Sequence, residues 1–200
     1  AKAARFDERM SLVNILVDNV SEDIRQNNHR QKVLKQVTGD LSDIRKQSVA
    51  GRSCRPVLSA QITRNREWYL TEQEKGLLTT AQKNLYYDQL EFLVSYEKQL
   101  VSNDSSDFTV LETLFCKDTA LFKQDVLRIQ DKLQHLFRFL EETYGNENEI
   151  LIAVSSLTGN KDCVTFINQF GCDAYFAHNK DLLYFERQQD LEQKIETIGL

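Results

Sequence analysis

Thiols and imidazoles are the side chains of this chain whose chemistry could support catalysis. Cys172 and His178 lie six residues apart, close enough in sequence to supply a nucleophile and its base. Asp173 and Asn179 stand beside them, and Gly171 precedes the cysteine at a predicted helix start. A free cysteine, however, commonly packs as a small buried apolar group. A thiol-dependent enzyme using Cys172 and His178 is therefore kept as the third of three functional hypotheses.

The spacing of ligand-type residues argues against a metal or cofactor site. Cys163, Cys172 and His178 are nine and six residues apart and form no CxxC, HxxxH or HExxH unit. The chain also contains no Glu-x-x-His pair and no glycine-rich phosphate-binding loop. We expect no metal, no cofactor and no catalytic residue.

Positive charge is concentrated between Arg25 and Arg66. This segment carries ten Lys/Arg and two Asp/Glu, within a chain whose formal net charge is −5. It contains the single proline and a predicted chain reversal, so many of these charges should gather at one end of a helical hairpin. A field of one sign attracts an anionic partner. The predicted partner-binding residues of this basic hairpin end are Arg25, His29, Lys32, Arg45, Arg52, Arg55, Arg64, Arg66 and Trp68.

Three interpretations of these basic residues remain open in the sequence. They could be solvated or paired internally, because residues 101–200 carry 9 Lys/Arg and 17 Asp/Glu. They could bind an acidic protein or another copy of this chain. They could contact a membrane surface or nucleic-acid phosphates, with Trp68 stacking on a base. A sequence pI of about 5.3 is far below the values typical of nucleic-acid-binding domains.

The elements that position these residues are predicted to be long helices, since 200 residues include only seven Gly and one Pro. Apolar residues at three- and four-residue steps indicate a first helix from about Ala3. One apolar stripe ends at Ile24, and a second stripe, rotated from the first, begins at Val33. Eight polar residues separate them. We favour one continuous helix that turns its core face between partners over a break at Asn27-Asn28.

Two more long helices are predicted, from about Val57 to Val101 and from Phe108 to Tyr144. Residues 50–56 form the first connection, where Gly51 can end one helix and Pro56 suits the first turn of the next. Gly76 is the weak point of the second helix. Helices joined by such short loops should lie antiparallel.

The predicted fold class is all-α, with long antiparallel helices in a coiled-coil-like bundle over residues 1–145. Residues 146–200 should form an aromatic-rich cap of shorter helices packed on that bundle, as part of one structural unit. Within the cap we expect helices over Glu149–Leu157 and Asp162–Phe170, and a last one from Asp173.

The predicted function is a non-enzymatic protein-interaction or scaffold domain acting through helix surfaces. No run of residues approaches the roughly 18 apolar residues of a membrane span. The four cysteines indicate reduced thiols in a cytoplasmic protein, which we expect to be bacterial. The chain begins without Met, so we expect a fragment or a processed form. The alternative is a nucleic-acid-associated helical protein that uses the basic 25–66 hairpin end.

Overall fold

The computed structural model describes residues 2–49, 51–102, 107–144 and 160–170. These residues form helices and short connections, and no β-strand occurs in those ranges. The all-α fold class is therefore confirmed. The helices are α1 (Lys2–Gln47), α2 (Arg55–Glu74), α3 (Thr80–Ser102), α4 (Phe108–Tyr144) and α5 (Lys161–Phe170).

Helix α1 is continuous over 46 residues, which confirms the predicted single helix. The chain divides into a terminal unit (Ala1–Gln26 and Gln124–Leu200) and a central unit (Asn27–Lys123). The buried stripe that ends at Ile24 belongs to the terminal unit, and the stripe that begins at Val33 belongs to the central unit. The rotation between the stripes thus coincides with the point where α1 passes from one unit to the other.

The predicted second helix, from about Val57 to Val101, is wrong because the chain turns between Glu74 and Thr80. Gly76 has a φ of +68°, a left-handed conformation that favours glycine and ends α2. Thr79 is the N-cap of α3. Its hydroxyl accepts a hydrogen bond from Gln82 N at 3.2 Å, and its own N–H donates to Gln82 Oε1 at 2.9 Å. This reciprocal pair is a capping box, and it fixes the start of α3.

The other predicted elements are largely confirmed. Gly51, with a φ of +79°, lies in the connection before α2, and Pro56 stands in the first turn of that helix. Helix α4 runs without interruption from Phe108 to Tyr144, and α5 matches the predicted Asp162–Phe170 helix. The proposed bundle–cap boundary at residue 145 and the helices expected over 149–157 and from 173 lie outside the described residues.

The core of the central unit is built from one apolar face of each of its four helical segments. Helices α2 and α3 run antiparallel, since Ser59 on α2 contacts Glu97 on α3 while Trp68, further along α2, contacts Tyr86, earlier on α3. Fully burying each leucine or isoleucine contributes roughly 1.5–3 kcal/mol. The buried core comprises Val33, Val37, Leu41, Ile44, Cys54, Leu58, Ile62, Leu93, Tyr96, Leu100 and Leu111.

The α2–α3 hairpin continues beyond this core. Between Thr63 and Asp88, a range that the structure describes in full, every side chain is exposed or half-buried. Trp68 on α2 meets Tyr86 on α3 edge to face, with ring centroids 4.6 Å apart. We call residues 63–88 the hairpin tip; its two helices pack on each other with little deeply buried surface.

Candidate functional site

The connection between α1 and α2 gathers four cations at one end of the central unit. Arg45 and Lys46 lie in the last turn of α1, Arg52 lies in the connection, and Arg55 begins α2. All four side chains belong to exposed residues, and the sequence from Ile44 to Arg66 contains no Asp or Glu. We call Arg45, Lys46, Arg52 and Arg55 the basic connection.

Three of these four cations are free of ion pairs with any described residue: Lys46, Arg52 and Arg55. Arg45 differs, because its guanidinium lies 3.5 Å from Glu112 Oε1 and 5.8 Å from the centroid of the Phe108 ring. A carboxylate and an aromatic face therefore hold Arg45 against α4. The other three are exposed, and their charges have no carboxylate partner among the described residues.

Arg64 lies away from the basic connection and contacts glutamine side chains. It lies nine residues beyond Arg55 on α2, about 13 Å along the helix axis. Its Nη2 donates to Gln61 Oε1 at 2.5 Å and to Gln47 Oε1 at 3.4 Å. Arg64 therefore supports a buried amide, whereas Arg66 is exposed without a described ion pair.

Trp68 lies in the hairpin tip, thirteen residues and about 20 Å along α2 from Arg55. Its side chain is 45% exposed while one edge packs on Tyr86. Trp68 was predicted to lie near the cations of the loop, but it is separated from the basic connection.

The remaining predicted residues lie along α1, away from the connection. Lys32 is exposed and lies thirteen residues, about 20 Å, before Arg45. His29 is engaged, with Nε2 2.6 Å from Asp88 Oδ2. Arg25 belongs to the terminal unit. Its Nη1 lies 3.2 Å from Glu22 Oε2, and its Nε lies 3.4 Å from Asp162 Oδ2. The nine predicted residues are thus distributed over several surfaces.

A buried polar cluster joins three helices inside the central unit. Asp40 Oδ1 accepts hydrogen bonds from Gln61 Nε2 at 3.0 Å and Asn65 Nδ2 at 3.1 Å. Asp40 Oδ2 accepts one from Gln89 Nε2 at 2.6 Å. Asp40 is 6% exposed, so these amides replace the water that would otherwise solvate the carboxylate. We call Asp40, Gln61, Asn65 and Gln89 the amide cluster.

The sequence contains a signal for the amide cluster that a search for apolar periodicity misses. Asp40 lies three residues after Val37 and four residues before Ile44, which is the spacing of the buried apolar stripe of α1. Gln61 is in the same position relative to Leu58 on α2. A polar residue at a core position of a helical stripe indicates a buried hydrogen-bonded group.

Two of the three described thiols are buried. Cys54 and Cys163 are 0% exposed, and burial raises the pKa of both. Cys163 Sγ lies 3.5 Å from Ser21 Oγ in the terminal unit. Cys116 is exposed. Cys172 and His178, the pair proposed for a thiol-dependent enzyme, lie outside the described residues.

Metal ligands and membrane spans were sought in the same parts of the chain. No group of three or more His, Cys, Asp or Glu side chains is arranged to hold a metal ion within the described ranges. None of the helices α1 to α5, as far as they are described, has the length and hydropathy to cross a bilayer.

The chain was compared with known proteins at three levels. No protein-family model, curated protein or solved structure matches it.

Proposed function

We propose that this chain is a non-enzymatic protein-interaction domain that binds an acidic protein surface through the basic connection. The observation that carries the proposal is the exposure of Lys46, Arg52 and Arg55 without an ion pair to any described residue. Exposed cations that no described carboxylate neutralises can pair with an acidic partner, and they accelerate its approach by long-range attraction.

The limited extent of the positive charge favours a protein partner over a nucleic-acid partner. The central unit carries fourteen Lys/Arg and twelve Asp/Glu, so its net charge is only +2 and its positive field is local. Binding a nucleic-acid backbone calls for a basic surface that extends over several phosphates. Trp68, which could stack on a base, is separated from the basic connection.

A second copy of the chain is one source of such an acidic surface. The terminal unit carries eleven Lys/Arg and eighteen Asp/Glu, a net charge of −7. Self-association is therefore part of the same proposal, and a bacterial cytoplasm is the setting that we expect for it.

The test is charge reversal at the basic connection. We would change Lys46, Arg52 and Arg55 to Glu, and prepare a control in which Lys35, Lys98 and Lys123 are changed to Glu. All six are exposed residues of the central unit, and both variants change the net charge by the same amount. Circular dichroism checks the fold of each variant before binding is measured.

Binding is measured by affinity capture with quantitative mass spectrometry at low and moderate salt. We expect wild type and the control to retain the same protein, and the variant of the basic connection to lose it. Sedimentation velocity of the same three proteins identifies self-association. Equal retention by both variants contradicts the proposal. Capture of nucleic acid with a steep salt dependence supports the alternative function instead.

A further inference from the structure

A cleft of about 360 Å³ lies between α3 and α4 within the central unit. This volume falls in the range of sites for small molecules. Phe92 is half-buried and meets the buried ring of Tyr96 edge to face at a centroid distance of 6.3 Å, and we call this pair of rings the aromatic base of the cleft. The cleft is lined by Glu91, Phe92, Ser95, Tyr96, Gln99, Leu114, Lys117 and Asp118.

A half-buried carboxylate lies beside the aromatic base of the cleft. The Tyr96 hydroxyl donates a hydrogen bond to Asp118 Oδ2 at 2.5 Å. Burial and the neighbouring Asp118 both raise the pKa of Tyr96, so the phenol stays protonated and keeps donating. Because the tyrosine engages Oδ2, the Oδ1 atom of Asp118 remains as an acceptor for another donor.

Two exposed charged residues at the cleft have no ion-pair partner in the part of the chain that the structure describes. Glu91 and Lys117 belong to exposed residues and form no ion pair with any residue that the structure describes. With Asp118, they give the lining two negative charges and one positive charge. The net charge is negative, and the innermost charged group is the carboxylate of Asp118.

We propose that this cleft binds a small organic cation, an amine or amidine carried on a flat or short apolar body. The cationic group would donate charge-assisted hydrogen bonds to Asp118, and the apolar body would lie against the half-buried ring of Phe92. The site uses different residues from the basic connection, so it stands or falls independently of the function proposed above.

The test compares three probes that share one ring and differ in charge: benzamidine, benzamide and benzoate. Each is titrated into the full chain labelled with ¹⁵N, and binding is followed by amide chemical shifts. We expect benzamidine to bind more tightly than benzamide and benzoate, with the shifts centred on residues 91–99 and 114–118.

Charge-neutralising variants identify the residue that recognises the cation. Asp118→Asn keeps an oxygen that accepts from Tyr96 but removes the charge, and we expect it to weaken benzamidine binding about tenfold or more. Asp43→Asn, the same change at an exposed position of α1, should leave affinity unchanged. Lys117→Gln should strengthen binding about two- to fivefold, because it removes a like charge.

Several results would overturn this inference. Tighter binding of benzoate than of benzamidine would assign the site to Lys117 and an anion. Absence of binding by all three probes would exclude a site for this ligand class. Equal effects of the Asp118→Asn and Asp43→Asn changes would show that recognition does not run through Asp118. Thermal unfolding of each variant separates these outcomes from loss of fold.

Discussion

Gln89 Nε2 lies 2.6 Å from Asp40 Oδ2, so an amide of α3 holds a buried carboxylate of α1. Gln61 and Asn65 of α2 complete the set of donors. If one helix slid by a turn against the others, the carboxylate would lose these donors while remaining buried, which is costly. We infer that the amide cluster fixes how the three helices are aligned.

Removing the Asp40 side chain should strongly destabilise the protein. Asp40→Ala leaves the buried amides of Gln61 and Gln89 and the half-buried amide of Asn65 without their acceptor, and we expect a loss of about 3 kcal/mol in the free energy of unfolding. Asp43→Ala, on the exposed side of the same helix, should change it by less than about 0.5 kcal/mol. Urea unfolding followed by circular dichroism measures both. Similar values for the two variants would contradict a structural role for the cluster.

Two glycines should respond to alanine in opposite directions. Gly76 has a φ of +68°, where an added Cβ meets no atom within 4 Å but the backbone conformation itself is strained. We expect Gly76→Ala to cost about 1–2 kcal/mol. Gly39 lies inside α1 with open space around it, so Gly39→Ala should stabilise the protein by about 0.5–1 kcal/mol. Thermal unfolding of both variants distinguishes these effects, and a shift of the same sign would refute the argument.

The pH dependence of stability should include a contribution from Asp23 in the terminal unit. Burial acts to raise the pKa of this carboxyl, but hydrogen bonds and charges from Lys132 and Arg128 outweigh burial and lower it. A lowered pKa stabilises the folded state above the ordinary aspartate pKa of about 4, and this stabilisation is lost as the pH falls through the lowered value.

Asp23→Asn should therefore reduce stability at pH 7 by about 1 kcal/mol or less, since the cations are partly exposed. The difference from wild type should shrink as the pH is lowered below about 4. Asp18→Asn is the control, because Asp18 is exposed on the same helix and forms no ion pair with a described residue. A difference that stays constant with pH would show that the ion pairs with Asp23 do not contribute.

Alkylation should separate the described thiols by burial. Cys116 is exposed, so we expect iodoacetamide to modify it in the folded protein. Cys54 and Cys163 should react only after denaturation, because burial blocks access and raises the pKa of both thiols. Peptide mass spectrometry after timed labelling measures each site. Fast labelling of Cys163 in the native protein would indicate that its packing against Ser21 opens readily.

Apolar periodicity was sufficient to predict α1 and α4, because burial of one face determines where these helices form. The change of stripe between Ile24 and Val33 even marked where α1 passes between units. The turn after Glu74 was missed, since the residues on both sides of Gly76 favour helix and the Thr79–Gln82 capping box is a short local signal. A propensity summed over a long window conceals such a signal.

The candidate sites were harder to predict, because a charge in the sequence carries no information about its neighbours in space. Arg52 and Arg64 look alike in the sequence, yet the first is exposed in a connection and the second donates to Gln61. Asp40 was counted as one of two acids in a basic segment, and only packing shows that it is buried. The cleft beside Asp118 requires the pairing of α3 with α4, which periodicity does not specify.

The hairpin tip also determines where this chain tolerates change. Between Arg66 and Asn84 its helices contribute no buried side chain and no member of the amide cluster, so local opening of this part leaves the core intact. We expect amide hydrogen exchange and limited proteolysis to begin around the turn at residues 75–79. Foreign sequence inserted at that turn should leave the amide cluster assembled, which makes the turn a natural point for grafting a peptide or fusing another domain.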